Sequence, residues 1–211
     1  MLYKNTVESK TFELLVRLMS DEKFNDFHLA DGTALALQIG HRKSVDLDLF
    51  SFENFDFEDV NQYLKANYEF TDTFFEKNTV KGFIEDIKID FLTHAYPFVA
   101  PVTRENSVRL YALKDVAAMK LNAIVGNGTR LKDFVDIAWI SSVMPLSEML
   151  DAYETKYQSN YFVALKSLLY FDDIDFNEPI QMADGKFQWK IIGKRLEMMS
   201  KYPKRVFPKP L

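Results

Sequence analysis

Two carboxylates, Asp46 and Asp48, stand two residues apart in the run Ser44-Val-Asp-Leu-Asp-Leu-Phe50. Side chains alternate along a strand, so both acids share one face while Val45, Leu47 and Leu49 take the other. Such a pair repels unless a cation lies between its members. An oxygen-only pair suits a hard divalent ion, Mg²⁺ or Mn²⁺, which also takes ligands from substrate phosphates. A solvated strand face is the alternative. Upstream, Gly32 and Thr33 open a helix directly after a strand, where backbone N–H groups and the positive end of the helix dipole can receive an anion. Asp31 acting as a cap with Gly32 allowing the turn explains the same residues.

Asp90 adds a third acid. In Ile87-Lys-Ile-Asp-Phe-Leu92 it has the opposite parity to Ile87, Ile89 and Phe91, so an adjacent strand would set it beside Asp46 and Asp48. Three carboxylates can hold two metal ions, one activating an attacking hydroxyl and one stabilising a leaving pyrophosphate. Asp86 shares that parity and is a substitute. Further along, Leu113, Val116, Ala117 and Ile124 form an apolar helical stripe with Lys120 near its middle. That lysine either snorkels to the surface or turns into a cleft to meet phosphate. Lys132, Asp133 and Asp136 take the least apolar side of the next helical pattern, where a solvated face is an equal explanation.

These residues need a frame of strands followed by helices. The pattern predicts a helix over 9–19, a strand over 24–30, a helix over 32–41 and a strand over 45–50. A helix over 59–66, a strand over 68–75 and an alternating strand over 83–92 follow, and the sheet is expected to end there. Helical segments are expected over 113–125, 131–143, 146–157, 161–170 and 187–199. Strands early and helices late give an α+β fold. A catalytic head spans residues 1–110, and a helical lobe spans 111–211, contributing Lys120 and Asp136 to the site.

Composition narrows the chemistry. The 211 residues are 47% hydrophobic and 15% aromatic, enough for a core without staples. The absence of cysteine excludes disulfides, thiolate nucleophiles and cysteine-ligated metals. The three histidines lack ligand spacing, and neither Gly-x-Ser-x-Gly nor a Walker sequence occurs. No apolar run suits a leader or a membrane span, so a cytoplasmic setting is expected. The net charge of −5 hides a basic end: Lys190, Lys194, Arg195, Lys201, Lys204, Arg205 and Lys209 face one acid, Glu197. That end suits a polyanion such as RNA, with Tyr202 and Phe207 as base-stacking candidates; a solvated terminus is the alternative.

Taken in order, Gly32-Thr33, Gly40-His-Arg-x-Ser44-x-Asp46-x-Asp48, Lys88-Ile-Asp90-Phe-Leu, Ala117-Ala-Met-Lys120-Leu and Lys132-Asp-Phe-Val-Asp136 resemble the motif series of the nucleotidyl transferase AbiEii/AbiGii toxin family over residues 27–140. The resemblance implies a polymerase-β-like nucleotidyltransferase head followed by a helical C-terminal lobe, in a bacterial toxin–antitoxin or phage-defence setting. It implies Asp46, Asp48 and Asp90 as metal ligands, Lys120 on nucleotide phosphate, and Asp136 completing the site. Gly32, Thr33, Arg42 and Ser44 would line the nucleotide pocket. The implied reaction moves a nucleoside monophosphate from an NTP, with Mg²⁺ or Mn²⁺, to a hydroxyl of tRNA, another RNA or a protein; a cognate antitoxin is the implied partner. One departure stands out: Asp31 occupies a position where the family usually has glycine. A carboxylate there repels a triphosphate unless it turns away or binds metal, and the runner-up function is therefore a catalytically impaired nucleotide- or partner-binding module on the same fold.

Overall fold

The structure, a computed structural model, describes residues 1–210. The chain forms two compact units. The first comprises residues 1–40, 44–97 and 101–111; the second comprises 41–43, 98–100 and 112 onward.

The first unit is built on a seven-stranded mixed sheet. Its strands are β1 (Phe27–Leu29), β2 (Leu47–Ser51), β3 (Thr71–Glu76), β4 (Thr79–Ile84), β5 (Ile87–Thr93), β6 (Thr103–Glu105) and β7 (Val108–Leu110), in the spatial order β3-β4-β5-β2-β1-β7-β6. The pairs β2–β5 and β1–β7 are parallel and the others antiparallel. Helix α1 (Ser9–Ser20) buries Leu14, Leu15, Leu18 and Met19 and packs on β7; α2 (Asp31–Ile39) packs on β2. Helix α3 (Phe57–Tyr68) starts where the Asp56 carboxylate accepts from the N–H groups of Glu58 and Asp59, both at 3.0 Å.

Two sequence expectations change here. The alternating run 83–92 is not one strand: Glu85 and Asp86, both at positive φ, form a two-residue turn between β4 and β5. Asp86 therefore lies in a hairpin turn and does not replace Asp90. Nor does the sheet end at Leu92, because β6 and β7 extend it past β1. These three-residue strands are too short to show a period. They are anchored by Arg109, which donates to the carbonyls of Met19 (2.6 Å), Phe24 (2.8 Å) and Phe27 (3.2 Å).

The second unit is helical. It contains α4 (Leu113–Gly126), α5 (Leu131–Ile140), α6 (Leu146–Tyr157), α7 (Tyr161–Leu168) and α8 (Trp189–Lys201). Helix α4 packs against α5, α6 and α7, and α5 packs against α8. Residues 41–43 join this unit through backbone bonds of Lys43 to Gln181 and of Ala183 to His41. Gly40 makes the preceding turn possible: its φ of +71° ends α2, and a Cβ there would lie 2.5 Å from the Tyr3 ring. Among the described residues, no helix is long and apolar enough to cross a membrane.

Candidate active site

In the first unit, parallel pairing of β2 with β5 puts Asp48 directly opposite Asp90. Asp46 precedes β2 by one residue and shares the parity of Asp48, while Leu47 and Leu49 are buried on the other face. Asp90 is 5% exposed, and its Oδ1 is buried without a hydrogen-bond partner. Its Oδ2 faces two ammonium groups, Lys88 at 3.4 Å and Lys81 at 3.5 Å. Lys81 reaches it from β4, where it is the cross-strand partner of Asp90. Burial works against the Lys88 ammonium, but the charges of Asp90, Asp46 and Asp48 outweigh it and hold Lys88 above its ordinary pKa. One cation thus feels all three carboxylates.

The donor set fits a hard divalent ion: every candidate ligand is a carboxylate oxygen, and one of them is buried and unsatisfied. It is not a closed metal cage. Among the described residues, no three acidic or histidine side chains are gathered closely enough to hold an ion as they stand. An ion here would complete its shell from substrate or water, as Mg²⁺ commonly does.

The start of α2 lies in the same unit. Asp31, its first residue, has φ +51°, a left-handed conformation that glycine adopts without penalty and aspartate tolerates better than most residues. This supplies a physical reason for the glycine expected at that position. No side chain caps α2 among the described residues. Thr33 is buried, and its hydroxyl lies 2.8 Å from Ser44 Oγ and also bonds the Asp46 carbonyl. Thr33 and Ser44 thereby tie the beginning of α2 to the approach of β2.

The second unit gathers another part of the expected set. Asp136, on α5, is fully buried and accepts from Arg42 Nε at 2.7 Å and Arg42 Nη2 at 2.9 Å, a two-pronged pair. The Lys120 ammonium, on α4, sits 3.1 Å from Asp136 and 2.7 Å from Asp133 Oδ1. Desolvation alone would raise the Asp136 pKa, but Arg42 and Lys120, with hydrogen bonds from Arg42 and His41, hold it well below the ordinary value. His41 Nε2 lies 2.8 Å from Asp136 Oδ1. Burial lowers the His41 pKa despite that carboxylate, and its Nδ1 is buried without a partner. Neutral His41 with its proton on Nε2 accounts for both facts, because a second proton would be buried unpaired.

Two readings of this region change with the structure. Asp133 and Asp136 do not form a solvated face, since both are 0% exposed. Lys120 does not snorkel to the surface; it is 1% exposed and committed to two carboxylates. Sequence reasoning also missed a second buried pair, Lys156 with Asp115 at 2.8 Å. Asp115 additionally accepts from the backbone of Val99 and Ala100, both at 3.0 Å, which anchors residues 98–100. The signal was available: Lys156 follows Met149, Ala152 and Tyr153 at helical spacing, the same pattern that singled out Lys120.

The basic end also belongs to the second unit. Lys190, Lys194, Arg195 and Arg205 line a groove of about 460 Å³ together with apolar side chains, Phe207 among them. Among the described residues, no carboxylate pairs with these four cations. Phe207 is 7% exposed with the guanidiniums of Arg195 and Arg205 at 4.9 and 5.2 Å from its ring, so it is not a base-stacking platform. Tyr202 remains exposed.

Comparison with known proteins agrees with this fold. Residues 13–198 match the nucleotidyl transferase AbiEii toxins of type IV toxin–antitoxin systems. An uncharacterized protein of Aquifex aeolicus, aq_aa25, is 31% identical over 168 residues, covering 76% of this chain and 81% of its own. A Helicobacter pylori protein provisionally assigned as a nucleotidyltransferase superposes with a TM-score of 0.57 at 15% identity, covering 93% of this chain and 96% of its own. The Helicobacter pylori protein JHP933 gives 0.54 at 14% identity, covering 94% and 93%. At such identities the two structures speak for the fold, a mixed sheet with a helical C-terminal part, whereas the match over most of the sequence decides the family: the chain belongs to the AbiEii nucleotidyltransferase toxins.

Proposed function

We propose that this protein transfers a nucleoside monophosphate from an NTP to a hydroxyl of RNA or protein, as the toxin of a toxin–antitoxin pair. The observation that carries this reading is the strand register that sets Asp48 across from Asp90, with Asp46 on the same face and Asp90 Oδ1 buried without a partner. Asp46, Asp48 and Asp90 would hold Mg²⁺ or Mn²⁺, which when bound offsets triphosphate charge and favours attack by the acceptor hydroxyl. The hydroxyl oxygen bonds to the α-phosphorus as the bridging α–β P–O bond breaks, and pyrophosphate departs. Gly32, Thr33 and Ser44 surround the start of α2, where backbone donors and the helix dipole favour the phosphates.

Arg42, Lys120 and Asp136 hold the second unit together in this proposal. Their charges are already engaged with one another, and direct contact of Lys120 with phosphate would require two buried ion pairs to break. An RNA acceptor is favoured over a protein by the groove at Lys190, Lys194, Arg195 and Arg205, cations that have no carboxylate partner among the described residues. An antitoxin is the expected protein partner, and the cytoplasm, with its NTP pool, the expected setting.

The test supplies each α-radiolabelled NTP with Mg²⁺ and bulk cellular RNA, and follows label transfer and pyrophosphate release. The wild type should label RNA with one NTP. Asp48→Asn should lose the label without losing stability, since it removes a repelling charge from a half-buried face. Undiminished transfer by Asp48→Asn would refute the assignment. A second reading, a binding module without turnover, is favoured by one observation: the Asp31 carboxylate at the first residue of α2. NTP binding without pyrophosphate release, restored by Asp31→Gly, would decide for it.

A further inference from the structure

Two lysines flank the acidic face, and the proposed reaction gives them no role. Lys88 is on β5, two residues before Asp90 and hence on the same face; Lys81 is on β4, opposite Asp90. Both side chains are substantially exposed, at 46% and 38%, so neither is held in place by packing. Both ammonium groups nevertheless approach the same oxygen, Oδ2, of the nearly buried Asp90. Their surroundings differ in one respect. Lys88 is on the strand that pairs directly with β2, one residue before Ile89, which pairs with Leu47, the residue after Asp46, and so it lies in the combined field of Asp90, Asp46 and Asp48; Lys81 is one strand further from β2.

Three carboxylates on neighbouring strand positions need positive charge at all times, including before substrate arrives. A lysine on a flexible four-carbon stem can supply it and can also leave, because its head group is a compact point charge and its exit is open to solvent. A divalent ion entering this face must displace that charge. A metal–triphosphate complex brings anionic oxygens that can receive the displaced ammonium, whereas a bare ion brings none.

We propose that Lys88 is a tethered counter-cation of the acidic face: it neutralises Asp46, Asp48 and Asp90 in the resting protein and swings onto the triphosphate when the metal–nucleotide complex binds. The inference rests on the metal reading above. It makes Lys88 a specificity-determining residue that weakens binding of bare divalent ions and strengthens binding of the metal–polyphosphate complex. The two effects have opposite signs, which a lysine serving only solubility or strand propensity would not produce.

The experiment measures Mn²⁺ binding by full-length protein from the paramagnetic signal of the free ion, with and without inorganic tripolyphosphate as the probe. A unit charge about 4 Å from a divalent ion, even in a largely aqueous setting, changes affinity by an order of magnitude. Lys88→Met should therefore bind Mn²⁺ about tenfold tighter and Mn²⁺–tripolyphosphate at least about threefold weaker than the wild type. Lys88→Arg should stay near wild type in both measurements, and Lys81→Met should give a smaller gain in Mn²⁺ affinity. Equal Mn²⁺ affinity in wild type and Lys88→Met, or tighter binding of both species, overturns the Lys88 proposal and leaves the metal reading standing, provided Asp48→Asn abolishes Mn²⁺ binding. Absence of Mn²⁺ binding in every variant, with or without tripolyphosphate, overturns both.

Discussion

Replacing Lys120 with methionine isolates the energetics of the buried ionic network. Methionine keeps most of the apolar stem, so the packing of α4 against α5 should be preserved. The ammonium is lost, and with it the contacts at 2.7 Å to Asp133 and 3.1 Å to Asp136. Asp136 retains Arg42 and His41, and Asp133 keeps its contact with Arg130, whose Nε lies 3.5 Å from Oδ2. Removing one partner from a buried ion pair costs about 3–5 kcal/mol, because the remaining charge stays desolvated. Half-exposed Arg130 can move to offset part of this, so the expected loss is about 3 kcal/mol. The assay is urea unfolding followed by far-ultraviolet circular dichroism. The double variant Lys120→Met/Asp133→Asn should recover much of the loss, because it also removes the stranded charge. A Lys120→Met protein within about 0.5 kcal/mol of wild type, the range of ordinary surface substitutions, would refute the argument.

Three further outcomes follow from the same geometry. Asp31→Gly should bind Mn²⁺–tripolyphosphate more tightly by removing negative charge from the start of α2; stability should change by less than about 1 kcal/mol, because relief of the left-handed aspartate opposes lost helix-dipole and chain-entropy terms. Weaker tripolyphosphate binding would instead identify Asp31 as a ligand. On acidification, stability should fall in two stages. Burial lowers the pKa values of His41 and His28, so the unfolded chain binds protons first and stability declines below about pH 6.5. Asp136 is lowered, so its contribution is complete above about pH 4 and is lost as the pH falls through its depressed folded value; urea titrations from pH 8 to 3 measure both, and His41→Gln should shrink the first stage. Finally, Lys190→Ala, Lys194→Ala and Arg205→Ala combined should weaken RNA binding and flatten its salt dependence by up to about 0.7 per lost contact for a single strand. An unchanged slope would move the acceptor elsewhere. These point changes are preferable to truncation after Ser200, which would remove the buried Phe207 and its backbone bond to Ser141.

Local pattern was enough for much of this protein. The alternation of Asp46 and Asp48 with Leu47 and Leu49 survives in β2, and the helix over 146–157 is found with those bounds. The motif series identified the family, because the spacing between chemical groups is a property of the chain itself. What failed were features lacking a period of their own. The run 83–92 alternates through a hairpin, since a two-residue turn leaves the count of alternating positions intact. The short strands β6 and β7 are defined by their sheet neighbours and by Arg109. Helical spacing marked Lys120 as anomalous but could not name its partners: Asp133 and Asp136 looked like a wet face until α4 and α5 packed together and brought both carboxylates to the buried ammonium. The facing of Asp48 and Asp90 has the same origin. Parity along one strand fixes which side an acid takes, but only the pairing of β2 with β5 decides which acid lies opposite it, because register is a relation between strands distant in sequence.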